Sequence, residues 1–248
     1  MDRASIMHVD ISGNGRPVLF LHGGGVSGWM WRPLLDVLNG GVRAVVPDLP
    51  GHGQSRDTGY LSHDETVGRL AGLIRKEAPA GVLLVGFSLG AQLAIRLAAD
   101  HPELVSGAVI ISAEAQPAPM PRATLALLGW AAPLARQEWF ARLQAKQLSV
   151  PGDLLAEYVR DSRGISRDTL LASVGENIRF TLPGAWGAFQ GSTAVLVGAK
   201  ERRIMRSSAR TIHEAAGGSL LVVPNAAHDM PFTQPQLLAG VIHRQLAP

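Results

Sequence analysis

The sequence contains no cysteine. That absence excludes disulfide staples and thiolate metal sites and leaves a reducing compartment open to the chain. Charge is also scarce: 17% of the 248 residues are charged against 46% hydrophobic, a balance that a disordered chain does not have. Aromatic residues make up only 5%, and arginines are scattered instead of interleaved with them on one stripe. The isoelectric point of about 9.8, with a net charge of only +3, therefore does not read as a nucleic-acid surface. Long apolar runs are missing too. None reaches the ~18 uninterrupted residues of a spanning helix. The opening Met1-Asp2-Arg3-Ala4-Ser5 leads into neither the apolar core nor the small-residue cleavage site of a secretion signal. The expectation is a cytoplasmic protein, monomer or homodimer, with no nucleic-acid or membrane partner.

What is present is a rhythm of strands and helices. At 248 residues the chain holds one large α/β core with an insertion, and is too short for two ordinary domains. Residues 5–11 alternate like a half-buried strand and end in the turn Ser12-Gly13-Asn14-Gly15. Residues 17–21, 42–46, 82–85, 106–111, 193–197 and 220–223 read as strands, most of them apolar throughout, as in a sheet covered on both faces. Residues 29–38, 64–77, 91–99, 207–216 and 234–246 read as helices. Strands spaced by helices, with Gly-rich loops at their ends, describe a doubly wound, mostly parallel sheet. Function in such sheets collects outside the carboxyl ends of the strands.

The rhythm breaks from 115 to 189. Prolines stand at 117, 119, 121, 133, 151 and 183, and only short amphipathic pieces appear, at 125–128 and 139–148. About 75 residues without a strand exceed any ordinary connection. The predicted organisation is a core of 1–114 and 190–248 with a helical cap over the strand ends at 115–189. Trp130, Trp139, Phe140, Leu127 and Leu128 in the cap either line a hydrophobic substrate pocket or form the cap's own core.

The chain is organised around Gly86-Phe87-Ser88-Leu89-Gly90, set between an apolar strand and a helix. A serine hydroxyl becomes a useful nucleophile only when held exposed beside a base, with donors aimed at the oxyanion it creates. A sharp strand-to-helix turn meets both needs. His22-Gly23-Gly24-Gly25 and Asp48-Leu49-Pro50-Gly51-His52-Gly53-Gln54-Ser55 follow two earlier strands, Gly198-Ala199-Lys200-Glu201 follows a later one, and His228 follows the last.

Taken together, these five segments resemble the α/β-hydrolase family, in nearly the whole chain outside the cap. The resemblance implies a serine hydrolase in which nucleophile, acid and histidine follow one another along the chain. Ser88 then stands as nucleophile, and His228 as the general base that later returns the proton. Glu201 is the carboxylate that orients the imidazole, one methylene longer than the Asp usual in relatives. Glu114, after the preceding strand, is the alternative acid, and Arg202 and Arg203 offer Glu201 a competing surface ion pair. The backbone amides of Leu89 and Gly24 are the expected oxyanion donors, with Gly25 a weaker candidate. His22 and His52 read as loop braces, His101 as the end of the elbow helix, and Asp48 as a turn residue; Asp229 is expected to point away from His228.

The expected activity is hydrolysis of a small, largely apolar ester through an acyl-enzyme, with no metal or cofactor. Thioester, lactone, amide or carbon–carbon cleavage and perhydrolysis stay open within the same mechanism. A small-ligand receptor that keeps the triad is the reading from another class.

Overall fold

The computed structural model of the chain describes residues 7–247. Among these, seven strands form one sheet: β1 (Val9–Ser12), β2 (Arg16–Leu21), β3 (Val42–Pro47), β4 (Val82–Phe87), β5 (Val105–Ile111), β6 (Ser192–Gly198) and β7 (Ser219–Val223). Their spatial order is β1-β3-β2-β4-β5-β6-β7. Only β1 runs antiparallel to its neighbour, β3; the other neighbours pair in parallel. This is the doubly wound, mostly parallel sheet that the apolar runs predict. Residues 5 and 6 of the expected first strand lie outside the described residues.

The helices are α1 (Arg32–Leu38), α2 (His63–Glu77), α3 (Leu89–Asp100), α4 (Pro121–Ala135), α5 (Glu138–Gln147), α6 (Leu155–Gly164), α7 (Arg167–Arg179), α8 (Arg203–Ala216), α9 (Met230–Thr233) and α10 (Pro235–Leu246). Their limits follow from local chemistry. At the start of α2 the Ser62 hydroxyl accepts from the Glu65 amide at 3.1 Å, and Asp64 and Glu65 sit in the electropositive first turn. Val67, Leu70, Ala71 and Ile74 then recur on one buried face.

Successive strand residues face opposite sides, so each strand feeds two cores. Leu19 and Leu21 of β2 pack with Leu70, Leu93 and Ile212 from α2, α3 and α8. Val18 and Phe20 pack with Leu34 and Leu238 from α1 and α10. Each fully buried Leu or Phe contributes about 1.5–3 kcal/mol relative to exposure. The chain runs from β1 to β2, turns outward to β3, which lies between them, and then returns to β4 on the other side of β2. The crevice where strand order reverses therefore lies between the ends of β2 and β4, where ligands bind in sheets of this type.

Between β5 and β6 the described residues form helices α4 to α7 and no strand. α5 and α6 are rooted in the core: Ala141, Ala145, Leu154 and Tyr158 join the cluster that contains Trp29, and the Tyr158 ring meets Trp29 edge-on at 6.3 Å. The interval 115–189 is not uniform. Its last part leaves the helical layer, and Phe180, Trp186 and Phe189 pack in the core that contains α3 and α8, where Trp186 Nε1–H donates to the Ile212 carbonyl at 2.9 Å. Among the described residues no helix is long and apolar enough to cross a membrane.

Candidate active site

Ser88 closes β4 and opens α3 with φ 53° and ψ −114°, a strained conformation for a residue with a side chain. It is held there from both sides: its N–H donates to the Ile111 carbonyl at 2.9 Å, and its carbonyl accepts from the Ala91 and Gln92 amides at 3.0 and 3.2 Å. The flanking glycines are steric necessities. A Cβ on Gly86 would collide with the Gly90 carbonyl and Ala91 Cα, and one on Gly90 with the Leu21 and His22 carbonyls.

The imidazole of His228, carried on the loop after β7, meets Ser88 across 140 positions of sequence. Ser88 Oγ and His228 Nε2 are 3.2 Å apart, and His228 Nδ1 and Glu201 Oε2 are 3.0 Å apart. A carboxylate only accepts, so Nδ1 carries the hydrogen and Nε2 presents its lone pair to the Ser88 hydroxyl. Glu201 follows β6 and is buried, its side chain 1% exposed. Its Oε1 accepts from the Ser112 hydroxyl at 2.6 Å and the Gly198 amide at 2.9 Å. Burial pushes this carboxyl's pKa upward, but the hydrogen bonds from His228, Ser112 and Gly198 outweigh it and hold the group below its ordinary value.

Glu114 is placed differently. Its Oε1 accepts from Arg202 at 2.8 Å, so one of the two arginines expected to compete for Glu201 is engaged by Glu114 instead. Asp229 accepts from the Ala227 amide at 3.1 Å and the Ser149 hydroxyl at 2.8 Å.

Gly24 and Leu89 line one cavity together with Ser88. A Cβ on Gly24 would stand 3.9 Å from Leu89 Cδ2, so the loop after β2 and the start of α3 face each other closely. Leu89 begins α3, where the helix dipole favours negative charge. The loop is braced from beneath: His22 Nδ1–H donates to the Gly23 carbonyl at 2.8 Å and Nε2 accepts from the Leu49 amide at 2.9 Å. Burial lowers His22 to about 4. His52 is lowered to about 4 as well, first by burial and then by His22. Asp48 accepts from the amides of Gly28 and Gln54, both at 2.8 Å. His101 ends α3, its amide donating to Leu97 at 2.8 Å.

The five apolar residues named in the expected cap divide. Leu128 and Phe140 line the cavity of about 720 Å³ that opens beside Ser88. Leu127, Trp130 and Trp139 are 66%, 80% and 59% exposed, so neither sequence-based alternative describes them. Neighbouring helix residues stand about 100° apart, which sends Leu128 inward and Leu127 outward.

Sequence reasoning missed two polar groups. One is Ser112, a left-handed residue at φ 54° just beyond β5, which supplies a donor to Glu201. The other is Asp161 of α6, which is buried and accepts from Ser27 Oγ at 2.7 Å and Trp29 Nε1 at 2.8 Å. It ties the inserted helices to the loop that carries Gly24. Their only sequence signal is a small polar residue closing an apolar strand and an acid on a helix face with apolar neighbours.

Comparison with known proteins agrees with this architecture. Residues 18–241 match the profile of the alpha/beta hydrolase family. A segment of 106 residues is 35% identical to the pimeloyl-(acyl-carrier protein) methyl ester esterase of Nitrosomonas europaea, covering 43% of this chain and 40% of that protein. Another, of 101 residues, is 42% identical to an esterase of Mycobacterium tuberculosis, covering 40% of this chain and 33% of that protein. The chain thus matches two fifths or less of the length of these curated relatives. Among solved structures, an esterase from Exiguobacterium antarcticum superimposes with a TM-score of 0.83 at 20% identity, over 97% of this chain and 96% of that one.

Proposed function

This chain belongs to the alpha/beta hydrolase family, and from that premise we propose that it is a cofactor-independent serine hydrolase that cleaves a small, largely apolar carboxylic ester through an acyl-enzyme. The observation that carries this function is the unbroken line from Ser88 Oγ through His228 to Glu201, at the mouth of a cavity walled largely by aliphatic and aromatic side chains.

In the proposed sequence of steps, Ser88 Oγ attacks the ester carbonyl carbon as His228 Nε2 takes the hydroxyl proton. The negative charge that develops on the carbonyl oxygen is received by the Leu89 and Gly24 amides; losing one such donor costs about 2.7–4 kcal/mol of transition-state stabilisation. The carbon–oxygen bond then breaks, and the imidazolium returns its proton to the departing alkoxide. Water enters, gives a proton to His228 and attacks the acyl-serine, which releases the acid and restores the Ser88 hydroxyl. Glu201 stabilises the imidazolium in both halves, and its three donors keep it ionised. The helices α4 to α7 act as a cap that selects the acyl group.

The test is labelling with a fluorophosphonate. Wild type is expected to label and Ser88→Ala is not, and p-nitrophenyl esters of increasing acyl length report what the cavity admits. A wild-type protein that neither labels nor turns over any acyl length would refute the proposal.

A further inference from the structure

Ser88 stands where two cavities meet. One, of about 720 Å³, lies beneath the inserted helices and includes Gly24, Leu89, Leu128 and Phe140 in its wall. The other, of about 370 Å³, includes His228, Glu201, Glu114, Lys200 and Arg202. Asn177, whose Nδ2–H donates to Gln92 Oε1 at 3.1 Å, belongs to both walls.

Proton transfer decides which half of an ester enters which cavity. The alcohol oxygen receives its proton from His228 Nε2, so the alcohol half lies on the imidazole's side, in the smaller cavity. The acyl half, its carbonyl oxygen turned to Gly24 and Leu89, extends into the larger one.

Charge is distributed unequally between them. In the smaller cavity both cations have acids nearby: Arg202 is paired with Glu114 at 2.8 Å, and Lys200 shares the wall with Glu114 and Glu201. The wall of the larger cavity includes two guanidinium groups, Arg136 and Arg167, and among the described residues no carboxylate. Glu138, two residues beyond Arg136, is occupied by Arg142 at 2.8 Å and Arg163 at 3.6 Å. Among the described residues Arg167 reaches only a carbonyl, that of Gly129, at 3.5 Å. A mostly apolar channel that carries two cations without a counter-charge is complementary to a chain that is apolar along its length and anionic at its end.

Resting on the hydrolase function proposed above, we propose that the acyl half of the substrate ends in a carboxylate received by Arg136 and Arg167, so that the preferred substrate is a monoester of a dicarboxylic acid with a small alcohol. Three esters test this: propyl hexanoate, monopropyl adipate with its carboxylate at the end of the acyl chain, and the hexanoyl ester of β-hydroxypropanoate with its carboxylate on the alcohol. Longer homologues of the first two locate the arginines along the chain.

The expected result is a higher kcat/KM for the acyl-end carboxylate than for the neutral ester of equal length, peaking at one chain length and shrinking with added salt. That ratio should fall about two- to fivefold in Arg136→Gln and again in Arg167→Gln, and drop below one in the double variant Arg136→Glu, Arg167→Glu. Unfolding midpoints show whether each variant is folded. Equal rates at every length, or preference for the carboxylate on the alcohol, overturn the proposal while leaving the hydrolase function standing. Absence of both turnover and fluorophosphonate labelling overturns the two together.

Discussion

The end of the sheet and the helices laid across it hold their residues in place by different means. Around Ser88 the groups are fixed by directed bonds: three donors on the Glu201 carboxylate, three backbone hydrogen bonds on Ser88 and two amides on Asp48. α4 has one charged residue, Arg122, in fifteen, and it is apolar on both sides, with Leu128 toward the cavity and Trp130 toward solvent. Directed bonds fix atoms to fractions of an ångström, whereas apolar contact fixes only volume. The proposed function assigns the chemistry to the strand ends and the choice of substrate to the helices, and on that proposal substitutions in the two regions should fail differently.

The largest effect is expected at Glu201. Glu201→Gln keeps the shape but cannot hold the imidazole in its working tautomer, and kcat on an activated ester should fall about ten-thousand-fold. Glu114→Gln should stay close to wild type, because its partner is Arg202. The opposite ranking would move the acid to the end of β5. Next in size is Gly90→Ala. The new methyl runs into the Leu21 and His22 carbonyls, and urea denaturation should show a loss of about 3–5 kcal/mol. A comparable loss from a Gly129→Ala variant in α4, where the nearest atom is the flexible end of Arg167 at 3.0 Å, would erase the distinction between the regions.

Asp161 tests the seam between them. Asp161→Ala leaves Ser27 Oγ and Trp29 Nε1 without their acceptor, at a cost of about 1–3 kcal/mol. The loss should appear as faster amide exchange in α5 and α6, with KM rising more than kcat falls. A smaller effect is pH-dependent. The folded-state pKa of Glu201 is depressed, so this carboxylate stabilises the protein above its unfolded-state pKa, and the contribution disappears as pH falls through the folded value. The stability difference between wild type and Glu201→Gln should therefore narrow steadily below pH 4.5. A gap that widens in acid would reverse the sign of the assigned shift.

The same division explains what could be read in the sequence. Strand runs such as 82–85 are apolar because both faces are covered, and small residues at 86 and 90 mark the one turn where backbone must pass closely. Both are local signals, and they placed β4 and the elbow. Glu201 was legible only by its position after a strand, since what distinguishes it from Glu114 is a set of contacts brought together from β5, β6 and the loop after β7. The inserted helices were legible as an interval and barely as elements. Prolines at 121 and 133 suggested interruptions, yet Pro121 takes the first turn of α4, where its missing N–H is harmless, and Pro133 falls in the last turn. Trp186 lay inside that interval by sequence but belongs to the core, because its indole finds a carbonyl on α8.

The smallest effect separates the two faces of one helix. Trp130 and Leu128 are two residues apart on α4 and both apolar, so composition treats them alike. Trp130 is 80% exposed, and Trp130→Gln should change stability by no more than about 0.5 kcal/mol and leave acyl-chain preference where it was. Leu128→Phe keeps the helix and adds volume to the cavity wall, and it should shorten the longest acyl chain accepted while leaving fluorophosphonate labelling of Ser88 intact. Acyl selection that follows Trp130 instead of Leu128 would mean that α4 meets substrate with its outer face, and that the helices rearrange before the ester reaches Ser88.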